Sequence, residues 1–123
     1  MGEPRTDRTG LFLYDGKTLD ECVPEAVGRI VEGFDPLKII LFGSLARGET
    51  NYHSDIDLLV VFPEVKRKDK HDLTVEILRA LADLPAPKDV VVTDLDEIER
   101  RGNLVGTVLR PALREGKVLY ERV

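Results

Sequence analysis

Gly43-Ser44 is followed, after the ten residues Leu45 to Ser54, by Asp55-Ile56-Asp57. Glycine lets the chain turn sharply and lets an anion approach the backbone, where main-chain N–H groups, the serine hydroxyl and the positive end of a short following helix supply donors. Asp55 and Asp57, two apart on a strand, face the same way and lie roughly 7 Å apart at Cα, from a rise of about 3.3 Å per residue. Carboxylates so placed repel each other unless a cation sits between them. Hard oxygen ligands of this kind suit Mg²⁺, which takes one or two protein carboxylates and completes its shell with water and substrate phosphates. An anion-binding turn joined to a paired-carboxylate cation site points to nucleotide chemistry. Taken singly, Gly43-Ser44 reads as a tight strand-to-helix turn and the two aspartates as solvated loop acids; the joint spacing argues against both readings.

These residues must be carried by two strands. Leu37 to Phe42 is a short run of mostly branched or aromatic residues between Pro36 and Gly43, and Ile56 to Phe62 is a second apolar run that Pro63 ends. Helical spacing of Val23, Val27, Ile30, Val31 and Phe34 predicts a first helix from about Pro24 to Gly33, with Pro24 in its first turn. A helix is predicted near His71 to Leu84, then a third strand from about Lys88 to Thr93. An acid-rich helix over residues 95–101 and a break at Gly102-Asn103 follow. A helix near Leu104 to Arg114 comes next, in which Pro111 predicts a kink or a late start. Gly116 closes it, and Lys117 to Tyr120 can form a final strand. Residues 1–17 read as an arm with one short strand at Leu11 to Tyr14, and residues 18–123 as one α/β domain: a mixed β-sheet with helices packed mainly on one face and the carboxylates at a rim.

The string Gly-Ser-x-Ala-Arg-Gly at Gly43 to Gly48 and Ser-Asp-x-Asp-Leu at Ser54 to Leu58 resembles the minimal nucleotidyltransferases (MNT) of the DNA polymerase beta superfamily. The resemblance implies the nucleotidyltransferase fold and a third carboxylate on a strand after an intervening helix. Asp89 is the candidate, the one acid within the β-branched run before Asp94. Asp94 and Asp96 compete, yet Asp94 to Glu97 reads as a helix start whose acids favour its positive end. It further implies that a hydroxyl attacks the α-phosphorus of an NTP, ATP above all, and that pyrophosphate leaves. Two Mg²⁺ ions would be held by Asp55, Asp57 and Asp89, with Asp89 helping to deprotonate the acceptor. Gly43 and Ser44 would hold the β and γ phosphates, and Arg47 would clamp phosphate charge, unless it merely pairs with Glu49. The resemblance also implies a partner: many chains similar to this one act as antitoxins beside a helical HEPN-type toxin, which they modify with adenylate. Two other readings stay open: a non-catalytic nucleotide-binding or docking subunit, and transfer to a small molecule.

Composition agrees with a small domain. The chain has 123 residues, 42% of them apolar, which is material for one core. It contains no apolar run near the roughly 20 residues of a membrane helix and no signal-peptide core in Met1 to Arg8, so a cytoplasmic protein is expected. The lone Cys22 fits a reducing compartment and reads as a small apolar residue on a helix face. A formal charge of −5 disfavours nucleic acid as a direct ligand. The basic run Lys66-Arg67-Lys68, with Lys70, reads first as a solvated linker. Tyr52 and His53, although close to the paired aspartates, read as loop residues, and His71 as part of a helix start.

Overall fold

The computed structural model describes residues 5–6, 12–13, 18–49, 55–104, 107 and 109–122. Near the N-terminus, β1 (Arg5–Thr6) and β2 (Phe12–Leu13) pair antiparallel as a separate two-stranded ladder, with β2 inside the expected short strand. The readings of Tyr52 and His53 lie outside the described residues.

Helix α1 (Leu19–Phe34) starts five residues earlier than its apolar spacing suggested. Its signal is a reciprocal capping box. The Glu21 N–H donates to Thr18 Oγ1 at 3.3 Å, and the Thr18 N–H donates to Glu21 Oε1 at 3.2 Å. Pro24 therefore falls inside the helix rather than in its first turn. Asp35, with φ 50°, caps the C-terminus by donating its N–H to the Val31 carbonyl. The inward stripe of Leu19, Cys22, Val23, Ala26 and Ile30 is buried, so Cys22 is a core residue as read.

The main sheet has the order β5–β4–β3–β6, built from β3 (Lys38–Phe42), β4 (Ile56–Phe62), β5 (Lys88–Asp94) and β6 (Lys117–Glu121). β3 pairs antiparallel with β4 and β6, whereas β4 and β5 run parallel. A parallel pair needs a crossover, supplied here by α3 (Lys70–Ala80), which follows a 3₁₀ turn at Arg67–Asp69. Leu58, Leu59, Val60 and Val61 of β4 are all buried, the pattern of a central strand covered on both faces.

Alternation along the strands divides the core. Ile56, Leu58, Val60, Val90 and Val92 face α1 and α3 in the larger cluster. Leu59 and Val61 face the other way, with Ile40 and the helix residues Leu109 and Ala112, in a smaller one. The two longer helices thus share one face, as expected, while α4 (Leu95–Arg101) and α5 (Leu109–Glu115) supply residues to the cluster on the other. α5 starts at Leu109 instead of near Leu104, the late start that was one of the two outcomes Pro111 predicted; in a first turn proline loses no intrahelical hydrogen bond, whereas further in it does. Among the described residues no helix is long and apolar enough to cross a membrane.

Candidate active site

β3 ends at Phe42, and the chain turns into the four-residue helix α2 (Gly43–Ala46). Gly43 has φ +77°, a left-handed conformation that costs other residues about 1–2 kcal/mol. Its missing side chain also leaves room for a neighbour. A Cβ built there would collide with Oδ2 of Asp57 and lie 3.2 Å from Asp57 Cγ. The turn and the carboxylate are therefore packed against each other, which gives the Gly-Ser to Asp-x-Asp spacing its structural meaning.

β4 places Asp57 between two neighbours. Its antiparallel partner is Phe42 and its parallel partner is Asp89. Because Leu59, Val91 and Phe42 lie on the α5 side of the sheet, strand alternation turns Asp57 and Asp89 to that side together. Asp55 stands one residue before β4 and shares a side-chain hydrogen bond with Asp57. The Asp57 carboxyl is pushed up to about 7, first by burial, then by the charge and hydrogen bond of Asp55 and by the charge of Asp89; Arg47 opposes them weakly. Asp89 is exposed and accepts the N–H of Val90 at Oδ1, 2.9 Å. Its approach is fixed by the turn before it. The Ile56 N–H donates to the Pro87 carbonyl at 2.9 Å, and Lys88 Nζ donates to the carbonyls of Leu84 and Ala86 at 2.7 and 3.2 Å. Lys88 was not singled out from the sequence; its position just before Asp89, behind Pro85-Ala86-Pro87, was the available signal.

The donor set fits a divalent cation: hard oxygen atoms, like-charged and crowded enough that one carboxyl keeps its proton near neutrality. Among the described residues, however, no group of three or more His, Cys, Asp or Glu side chains is gathered tightly enough to hold an ion alone. Mg²⁺ ordinarily draws part of its shell from water and phosphate. The sheet thus brings Asp55, Asp57, Asp89 and Gly43 to one edge, with the half-buried Ser44 next in line. Arg47 is exposed and its Nε pairs with Glu49 at 3.1 Å, so the ion-pair reading describes its contact while its field still reaches Asp57.

Asp94 is elsewhere. It ends β5, caps α4 by accepting the Glu97 N–H at 2.8 Å, and accepts the Val65 N–H at 2.9 Å. A cavity of about 860 Å³ opens beside it, lined in part by Arg67, Lys70 and Arg100, at the opposite end of the strands from the paired aspartates.

The family profile described as "Nucleotidyltransferase domain" matches residues 23–113. The chain belongs to the nucleotidyltransferase domain family. A Methanocaldococcus jannaschii protein provisionally named a protein adenylyltransferase is 37% identical over 68 residues, which is 52% of this chain and 46% of that protein. The nucleotidyltransferase chain thus spans about half the length of this curated relative. Among solved structures, a Sulfolobus solfataricus protein provisionally named a nucleotidyltransferase aligns with TM-score 0.60 and 25% identity, covering 85% of this chain and 81% of that one. A structure of tri-AMPylated Shewanella oneidensis HEPN toxin in complex with MNT antitoxin aligns with TM-score 0.50 and 20% identity, covering 85% and 74%. At that identity the likeness concerns the nucleotidyltransferase fold alone.

Proposed function

We propose that this nucleotidyltransferase transfers AMP from ATP to a hydroxyl on a helical HEPN-type partner and so acts, in the cytoplasm, as the antitoxin of a two-component pair. The observation that carries the catalytic part is the packing of Gly43 against Asp57, with Asp89 in register beside it. It sets the Gly43 turn next to the carboxylates. The partner and the AMP group rest on the likeness to the AMPylated HEPN toxin with its MNT antitoxin.

Asp55, Asp57 and Asp89 would hold Mg²⁺, two ions in the reaction read here. When bound, the metal neutralises phosphate charge and raises the acidity of the attacking hydroxyl. The Gly43 turn and the Ser44 hydroxyl receive the β and γ phosphates and so orient the triphosphate. Asp89, the exposed carboxylate, takes the proton of the acceptor hydroxyl. The acceptor oxygen forms its bond to the α-phosphorus as the bond to the β-phosphate oxygen breaks, and pyrophosphate carries the electron pair away. Arg47 would exchange Glu49 for a phosphate oxygen, which a guanidinium binds in bidentate fashion.

Calorimetry of ATP binding with and without Mg²⁺, on the native protein and on Asp55→Asn/Asp57→Asn, tests the site without knowledge of the acceptor. Mg²⁺-dependent binding that the double substitution abolishes is expected. Intact mass measurement of a co-expressed HEPN-type protein should then show added AMP groups that depend on Asp89. ATP binding indifferent to all three aspartates would leave a docking subunit as the reading.

A further inference from the structure

A second cavity, of about 610 Å³, opens on the helix-covered face where the C-terminal end of α1 approaches the start of α3. Its floor is apolar: Phe34 from α1, Phe62 from the end of β4, and Val65 and Leu73 beyond it. Phe34, Val65 and Leu73 are only partly covered by the core they pack against. The groove lies about 16 Å along β4 from Asp57, counted from Phe62 at roughly 3.3 Å per residue. It is therefore remote from the candidate active site, and its occupant does not depend on the catalytic reading.

The rim is acidic. Glu64, Asp69, Asp72 and Glu76 line it, against the single cation Lys66. None of the four has an ion pair among the described residues. Asp69, Asp72 and Glu76 follow one another at spacings of three and four, the spacing at which helix side chains are neighbours and like charges cost a few tenths of a kcal/mol per pair. Arg67 and Lys70 of the basic run line the other cavity, where Lys70 is tied to Glu97 at 2.8 Å. Among the described residues, the acids beside the apolar floor thus outnumber the one cation on the rim, Lys66.

We propose that this groove docks a basic amphipathic helix presented by a partner protein. Apolar side chains at helical spacing would fill the Phe34, Phe62, Val65 and Leu73 floor, and flanking Lys or Arg would meet the acidic rim. Charge complementarity selects this occupant. Nucleic acid and anionic lipid surfaces are repelled by the rim, and a second copy docked by two-fold symmetry would set the same acids against themselves.

The probe is a fluorescein-labelled helical peptide with Leu at i, i+3, i+4 and i+7 and Lys elsewhere, together with a counterpart carrying Glu in place of Lys. Binding to the full chain is read by fluorescence anisotropy. The basic peptide is expected to bind, more weakly as salt rises, and the acidic one not to bind. Asp72→Lys/Glu76→Lys, at two exposed positions, should weaken the basic peptide by at least about tenfold and confer binding of the acidic peptide. Circular dichroism and thermal unfolding of the variant establish that it is folded. Anisotropy that the double substitution leaves unchanged would overturn the proposal, as would absence of basic-peptide binding. Sedimentation showing a dimer that this substitution alters would assign the groove to a second copy and overturn it equally.

Discussion

Gly43 and Asp57 can be tested as one unit. Gly43→Ala introduces two separable costs: the left-handed backbone at φ +77° and a collision between the new Cβ and Asp57 Oδ2. The first is worth about 1–2 kcal/mol for an L-residue. Relieving the second requires the Asp57 side chain to leave its rotamer, at about 0.5–1.5 kcal/mol. Truncation by Asp57→Ala removes Oδ2 and Cγ and leaves Cβ, which would be 3.5 Å from the Cβ at residue 43, an ordinary contact. Gly43→Ala should then cost about 2–3 kcal/mol with Asp57 present and only about 1–2 kcal/mol in the Asp57→Ala background, a coupling of about 1 kcal/mol. The cycle is best run by urea unfolding at about pH 5.5, where Asp57, with its carboxyl pushed up to about 7, is largely uncharged and its displacement relieves no charge repulsion. The single Gly43→Ala variant should remain folded yet lose Mg²⁺-dependent ATP binding. Equal costs in the two backgrounds would refute the contact and, with it, the packing that links turn to carboxylate.

In chelator-treated protein the folded state holds the Asp57 proton more tightly than the unfolded chain does, so stability falls as pH rises from the ordinary carboxylate value of 3.8 to about 7. Asp57→Asn should accordingly be more stable than the native protein by about 1–2 kcal/mol near pH 8, allowing for solvent screening of a half-exposed group, and no more stable near pH 3; thermal unfolding at the two pH values measures it. Asp94→Ala removes the α4 cap and leaves the Val65 N–H without its acceptor, which should cost about 2–3 kcal/mol in denaturant unfolding while ATP affinity is unchanged. Lys88→Met frees the Leu84 and Ala86 carbonyls from the ammonium that joins them. It should cost about 1–2 kcal/mol and weaken Mg²⁺-dependent ATP binding by loosening the turn that delivers Asp89, and calorimetry with native-like affinity would contradict that role.

Much of the candidate site was legible because it is local in sequence. Gly43, Ser44, Asp55 and Asp57 fall within fifteen residues, and the strand that ends before Gly43 and the one that begins at Ile56 announce themselves by apolar runs between Pro36 and Pro63. Pro111 likewise carried its own message, a kink or a late start, and the helix takes the late start, where the proline ring blocks no intrahelical bond. The early start of α1 was equally local, in Thr18 and Glu21, but an apolar periodicity cannot register the polar cap that precedes it. What the chain alone left undecided depends on register and on space. That Asp89 lies beside Asp57, while Asp94 turns away to cap α4, follows from which residues of β5 pair with β4, a parallel alignment that no local pattern specifies. That a side chain at Gly43 would collide with a carboxylate follows from where Asp57 Oδ2 lies. The rise of the Asp57 carboxyl comes from burial and from charges brought together across strands, and the acidic groove exists only because the end of α1 meets the start of α3. Residue types and spacing determined which chemistry the candidate site suits; tertiary contact decided which of its side chains meet, because distance and desolvation are properties of the fold.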